Sequence, residues 1–185
     1  LHLCHHNLES IETNNYDSNN AKDNLLLEVC LAAQYEGQSI RVDHDKYKLD
    51  KDNSGSKLCT ELARSFADIG DIIRGKDMYV VNKGEKDRLE NNFKDIFAKI
   101  YGELNGEAQN HYNGDKQNNF YQLREDWWNA NRLDVWKAIT CGVKGNKYFR
   151  QTCGDENDPT PTDDKCHCTG GTVPTYFDYV PQYLR

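Results

Sequence analysis

The sequence predicts an all-α, disulfide-stapled helical bundle, and three observations carry that prediction. Apolar residues recur at steps of three and four over four separate segments, alternation of period two never outlasts a few residues, and seven cysteines accompany a thin apolar core. Leu, Ile, Val and Phe number 37 of 185 residues, a fraction at which a charged chain borders on disorder. The supplements are 11 Tyr, 3 Trp and the cysteines, which add large buried areas and covalent cross-links. The length suits one domain, read as a single unit over 1–185 with a helical core over 1–140 and a cysteine-rich segment over 141–185.

The first helix is predicted from Asn20 to Gln38, where Leu25, Leu26, Val29, Cys30, Ala32 and Ala33 fall on helical spacing and Asn19 or Asn20 caps the first turn. Residues 41–56 are charged, then Asp-Asn-Ser-Gly-Ser, and read as a loop. Cys59, Leu62, Ala63, Phe66, Ile69, Gly70 and Ile73 form an unbroken stripe on a second helix that ends near Arg74-Gly75. A third stripe runs through Leu89, Phe93, Ile96, Phe97, Ile100, Tyr101 and Leu104 to Gly106. The fourth opens near Asn118 or Asn119 and carries Phe120, Leu123, Trp127, Trp128, Val135, Trp136 and Ile139 up to Cys141. Four such stripes bury one another in a bundle.

All seven cysteines, Cys4, Cys30, Cys59, Cys141, Cys153, Cys166 and Cys168, are disulfide candidates, and the odd count leaves one free or paired outside the chain. Four crowd into residues 141–168, a polar stretch that needs a staple. Cys166 and Cys168 are too close to bridge each other, so they are expected to take different partners, with Cys141 and Cys153 nearest in sequence. Zinc is disfavoured: Cys166-His167-Cys168 and Cys4-His5-His6 lack the two-to-four-residue ligand spacing of structural sites. No metal or cofactor is expected.

Other function classes are excluded by what is absent. A net charge of −7 argues against a nucleic-acid binder, which needs a concentrated basic footprint. No apolar run is long enough to span a membrane. The chain starts at Leu1 with no leader-like segment and reads as an excised piece of something larger. There is no phosphate loop, His-Glu-x-x-His motif or nucleophile elbow, so no catalytic residues are assigned. Asp68, Asp71, Glu125 and Asp126 sit on predicted helices as a solvated face or as salt-bridge partners of Arg64, Arg74 or Arg124. The one suggestive charge feature is local. Arg132, Lys137, Lys144, Lys147 and Arg150 oppose a single Asp134, giving net +4 over 132–150. Such a segment attracts sulfated glycosaminoglycans by counterion release, although a solvated helix end with cations at the C-terminal dipole has the same composition.

Three blocks carry a resemblance. Leu62-Ala-Arg-Ser-Phe-Ala-Asp-Ile-Gly-Asp-Ile-Ile-Arg-Gly-Lys-Asp77 resembles the signature helix of the Duffy-binding-like domains of Plasmodium falciparum erythrocyte membrane protein 1. Leu123-Arg-Glu-Asp-Trp-Trp-Asn-Ala-Asn-Arg132 with Val135-Trp-Lys-Ala-Ile-Thr-Cys141 agrees, in order. Val173-Pro-Thr-Tyr-Phe-Asp-Tyr-Val-Pro-Gln-Tyr-Leu-Arg185 is similar to the alpha class found at the head of that protein. The resemblance spans almost the whole chain from Leu1-His-Leu-Cys4 and implies the middle, helical subdomain of that fold, with 141–185 leading to a third subdomain. It implies an adhesin on the surface of infected red cells that binds red-cell or endothelial receptors, with rosetting through heparan sulfate, complement receptor 1 or blood group sugars. One departure is Cys166-His167-Cys168 where the family usually carries Cys-Arg-Cys. The receptor surface of such an adhesin is expected in the least regular segments, 41–56, 105–118 and 154–165, and host antibodies are expected on the same polar, exposed loops. The alternative is an architectural subdomain that supports its neighbours without touching a receptor.

Overall fold

A computed structural model describes residues 20–48, 56–77, 83–115 and 119–185. Five helices, α1 (Ala21–Lys48), α2 (Ser56–Arg74), α3 (Lys83–Glu103), α4 (Gly106–His111) and α5 (Tyr121–Ile139), are followed by an irregular segment with one small hairpin. The predicted α fold class is what the chain adopts.

The buried residues of α1, α2, α3 and α5 form one hydrophobic core. On α1 the stripe is Leu25, Val29, Ala32 and Ala33, as the spacing predicted. The Asn20 carbonyl accepts from Asn24 N–H at 3.0 Å, and the otherwise free N–H of Ala21 donates to Glu103 Oε1 at 2.7 Å. Asn19, the other cap candidate, lies outside the described residues. The loop expected at 41–56 needs correction at both ends, because α1 runs on to Lys48 and α2 opens at Ser56. No Gly or Pro interrupts 38–48. Ile40 packs on the core, and Arg41 Nη1 donates to Gly142 O at 2.9 Å, so tertiary contacts hold turns whose polarity hid them.

The central helix is α2. Leu58, Cys59, Leu62, Ala63, Phe66, Ala67, Ile69, Ile72 and Ile73 are buried, and so are Ser65, Asp71 and Arg74 on what a simple amphipathic pattern would make its outer face. Phe66 stacks against Trp128 at 5.1 Å and meets Trp136 edge-on at 5.3 Å, linking α2 to α5. On α3 the predicted Leu89, Phe93, Ile96, Phe97 and Ile100 are buried. A further correction falls within 105–118. Asn105 Oδ1 accepts from Ala108 N–H at 2.9 Å and caps the short α4.

The entry to α5 also differs from the sequence expectation. Asn118 lies outside the described residues, and Asn119 and Phe120 are left-handed, with φ of 60° and 59°. The cap comes instead from Asp115, whose carboxylate accepts the N–H groups of Gln122 at 3.0 Å and Leu123 at 2.8 Å. A cap six residues upstream of the helix has no sequence signature.

After α5 the chain folds back over the bundle. Cys153–Asp155 (β1) and Asp158–Thr160 (β2) pair antiparallel, an exception to the absence of strands. Three-residue strands are too short to show alternation. Asn146 pairs with Lys165 in an isolated bridge.

Two disulfides fasten this segment, Cys59–Cys166 and Cys153–Cys168. Cys166 and Cys168 do take different partners, and Cys153 is one of them. The other is Cys59 rather than Cys141: Trp136 Nε1 donates to Cys166 O at 3.1 Å and seats the loop over the bundle, beside a residue 107 positions away. Cys30 and Cys141, expected among the disulfides, carry free thiols, and Cys4 lies outside the described residues. Cys30 is half-buried; burial first, and Asp134 second, push its thiol up to about 11. Cys141 is exposed, with Gln34 Nε2 3.9 Å from its sulfur. Closing the loop of 107 residues contributes about 4 to 5 kcal/mol by the chain-entropy account, and the loop of 15 about 3 kcal/mol.

Gly37 sits where α1 crosses the end of α5, and a Cβ there would lie 1.9 Å from the Ile139 carbonyl oxygen. Gly37→Ala is expected to cost at least about 2 kcal/mol, because the obstacle is backbone. Gly102 in α3 has nothing within 4 Å of its would-be Cβ. Gly102→Ala is therefore expected to add up to about 1 kcal/mol. Urea midpoints of the two variants check the pair.

Candidate functional site: the basic loop and the ion-pair network behind it

The five cations singled out by the sequence do not share one environment. Lys137 is exposed on α5, with Asp134 Oδ1 at 3.4 Å, a surface pair that contributes little. Lys144, Lys147 and Arg150 are exposed on the loop after α5, where Arg150 lies over the Phe149 ring at 5.5 Å. The bridge between Asn146 and Lys165 sets a further exposed lysine opposite Asn146, which lies between Lys144 and Lys147. Lys165 lay too far along the sequence to be counted with them.

Arg132 is placed differently. Its Nε donates to Asp178 Oδ2 at 2.7 Å and its Nη2 donates to Asp178 Oδ1 at 2.7 Å and to Thr175 O at 2.8 Å. The guanidinium also stacks within 5.6 Å of Phe66, Tyr176 and Tyr179. It is an internal strut, with its charge spent on a carboxylate whose side chain has no exposed surface.

The rest of the same loop is acidic. Residues 151–168 carry Asp155, Glu156, Asp158, Asp163 and Asp164 against Lys165, which cancels the +4 of residues 132–150. Asp163 Oδ1 is occupied in accepting the N–H groups of Lys165 at 2.8 Å and His167 at 2.9 Å. Of the ligand types weighed for zinc, Cys166 and Cys168 are oxidised and His167 Nε2 lies 2.6 Å from Thr140 Oγ1. Among the described residues no three potential metal ligands cluster.

Behind this surface the C-terminal segment is held by buried charge. Trp128 Nε1 donates to Asp178 Oδ2 at 2.9 Å, so Asp178 joins α5 twice. Arg74 donates to Asp71 Oδ1 at 3.0 Å, to Glu125 Oε1 at 3.0 Å, and to the carbonyl of Asp178. Arg185 donates to Asp68 Oδ1 at 2.9 Å and pairs with Asp71. Arg124, fully buried, is bidentate to Glu90 at 2.6 and 3.0 Å and donates to Ile73 O at 2.6 Å, covering the end of α2. The salt-bridge alternative thus holds for Asp71 and Glu125, both paired with Arg74, whereas Asp68 pairs with Arg185, a partner not foreseen. The available signal was that Arg74, Arg124, Arg132 and Asp178 all fall inside the three motif blocks.

Burial dominates the ionisation of this network. It pushes the Asp68 carboxyl up to about 6, against the opposing pull of Arg185, and raises Asp71 against Arg185 and Arg74. Burial acts in the same sense on Glu125, but Lys76 and Arg74 outweigh it and hold that carboxyl below its usual range.

A two-disulfide helical bundle whose motif blocks meet at Asp178 defines the class. The Duffy binding domain family model matches residues 1–185, and the chain belongs to that family. It is 28% identical over 148 residues to the Duffy receptor of Plasmodium vivax and 31% identical over 101 residues to the Duffy receptor gamma form of Plasmodium knowlesi. These alignments take in 77% and 54% of the chain but only 11% and 8% of those proteins. Among solved structures, the NTS-DBL1(alpha-1) domain of Plasmodium falciparum PfEMP1 superposes with TM-score 0.81 and 43% identity, over 99% of this chain and 40% of that one. An ICAM-1-binding PfEMP1 DBLbeta domain superposes with TM-score 0.76 and 33% identity, over 100% of this chain and 39% of that one. The higher identity to the alpha domain supports the alpha class read from 173–185.

Asp178→Ala strands Arg132 and the Trp128 N–H, and is expected to cost about 3 to 5 kcal/mol, measured by denaturant unfolding. A pH effect attaches to Asp68. Its carboxyl ionises near 4 in the unfolded chain and at about 6 in the folded one, so the folded state holds the proton more tightly. Its contribution to stability therefore falls as pH rises from about 4 to about 6. Asp68→Asn removes that slope. Urea midpoints across this window are expected to shift progressively in favour of the variant, whatever the offset at pH 4.

Proposed function

We propose that this chain is part of a host-cell adhesion module displayed outside the infected red cell, and that Lys137, Lys144, Lys147 and Arg150 contact sulfated glycans of the heparan sulfate type. Membership of the Duffy binding domain family is the observation that carries the adhesive reading. Its relatives include Duffy receptors and a DBLbeta domain bound to human ICAM-1, and the two disulfides suit an oxidising, extracellular setting. Complement receptor 1 and blood group sugars are the other receptors considered, with rosetting as the outcome. Host antibodies are the remaining partner class, and of the three polar segments 154–165, which holds most of the β1–β2 hairpin, is exposed at every position but Thr162.

The glycan reading is supported by four exposed cations on and beside a loop that disulfides hold in place. Arg132 is left out of the contact set because its guanidinium is committed to Asp178. The acidic segment 151–168 favours a second reading, an architectural subdomain that presents its neighbours, since its net charge offsets the local positive charge. No helix among the described residues is long and apolar enough to cross a membrane, so neither reading uses insertion by these helices.

The deciding experiment is heparin chromatography of the complete head domain bearing Lys137→Glu, Lys144→Glu, Lys147→Glu and Arg150→Glu together. Under the glycan reading, retention falls sharply while the thermal midpoint moves little. The parent's log affinity then declines with log salt at a slope no steeper than about −4, as four ionic contacts dictate. Unchanged retention removes this patch. If the complete domain binds red cells saturably and the 185-residue chain does not, the architectural reading stands.

A further inference from the structure

The outer face of α1 is unlike the rest of the surface. In a protein with 29% charged residues, every exposed position of α1 from Leu27 to Val42 is uncharged. Four are large and apolar: Leu27 is 59% exposed, Leu31 44%, Tyr35 59% and Val42 47%. At 100° per residue they fall within an arc of about 80°, and at 1.5 Å per residue they extend over about 22 Å. The charges nearest it are Glu28, half-buried beside Leu27, with Lys22 and Asp23 before the stripe and Asp43, Asp45 and Lys46 after it. Within the stripe's length the acidic Glu36 turns inward to accept from Ser65 Oγ at 3.0 Å, and Arg41 turns to Gly142. The opposite face, Leu25, Val29, Ala32 and Ala33, is already buried in the bundle, so the outer stripe serves nothing within the described residues.

A run of exposed positions without a charge, holding aromatic and aliphatic side chains, is the composition of an interface core and not of a solvated helix. The occupant is narrowed by area. A strip about 22 Å long and one helix wide offers roughly 200 to 300 Å², against about 800 Å² per partner in a stable complex between free proteins. A second copy or a freely diffusing partner is poorly held by so little. A tethered segment is not, because a covalent link supplies an effective concentration in the millimolar range. Polypeptide of that kind exists in the family: the solved alpha-class domain superposes on 99% of this chain yet is matched over only 40% of its own length.

We propose that the Leu27–Leu31–Tyr35–Val42 face of α1 seats an apolar-faced segment of the same polypeptide from outside the 185 residues, making α1 an internal wall of the complete domain. The proposal stands apart from the receptor reading, since it concerns how the domain is assembled.

Hydroxyl-radical footprinting of the complete head domain tests it, with Leu31 and Tyr35 as reporters. Protection of tenfold or more relative to the unfolded chain is expected, independent of protein concentration and present without any receptor. Protection of twofold or less overturns the proposal. Protection that grows with concentration assigns the face to a second copy, and protection that appears only on red cells assigns it to a receptor; either result also overturns it. As a second arm, Leu31→Glu with Tyr35→Glu is expected to lower the thermal midpoint of the complete domain by several degrees, or to prevent its folding. An unchanged midpoint counts against the proposal.

Discussion

Asp178 is the residue on which the arrangement of the last third of the chain depends. Its carboxylate has no exposed surface and accepts from Arg132 twice and from the Trp128 indole, while its backbone carbonyl accepts from Arg74. A buried carboxylate in a medium of low dielectric demands that its acceptor positions be filled, and only this placement of the C-terminal segment fills them. Ion pairs of this kind add less net stability than their geometry suggests, because both partners lose hydration. They do penalise every alternative register, since a shift of one residue leaves Arg132, Trp128 and Asp178 buried and unpaired together.

The network and the disulfides act on different stretches of the same wrapping segment. Cys59–Cys166 ties its middle to the start of α2, Cys153–Cys168 closes the hairpin, and the Asp178 cluster fixes the end. Between these fastenings the chain contributes few buried apolar residues, mainly Val143, Tyr148 and Val173. Such a segment has too little apolar surface to order itself, so covalent and ionic ties replace hydrophobic burial. The consequence is a set of exposed side chains on a fixed backbone: Lys144, Lys147 and Arg150 sit on the fastened loop and take no part in its disulfides or in the Asp178 cluster.

This separation bears on how the charges are read. A linear count treats Arg132 to Arg150 as one basic patch, but folding ties Arg132 to Asp178 and sets Lys165 opposite Asn146, on a segment, 151–168, that carries five carboxylates. Charge along a chain predicts a surface potential only when the segment is extended or helical. Where the chain doubles back, the potential belongs to the pairing of strands. Membership of the Duffy binding domain family establishes the class of protein, and the cations exposed on this loop stand in a field of mixed sign.

The sequence by itself determined the helices, because burial of one face imposes a period that survives in the residues. The stripes on α2 and α3 were legible almost position by position, as were the aromatic core of α5 and the three family blocks. Only the tertiary structure decided the length of α1, the Asp115 cap of α5, the partner of Cys166, the burial of Asp71 and Arg74 and the pairing of Arg132 with Asp178. Each of these rests on a contact between residues distant in sequence, and sequence spacing carries no record of which distant residues meet. Polar residues hide their role most completely: an arginine in solvent and an arginine bound to a buried carboxylate have the same local pattern, and the difference lies wholly in the partner.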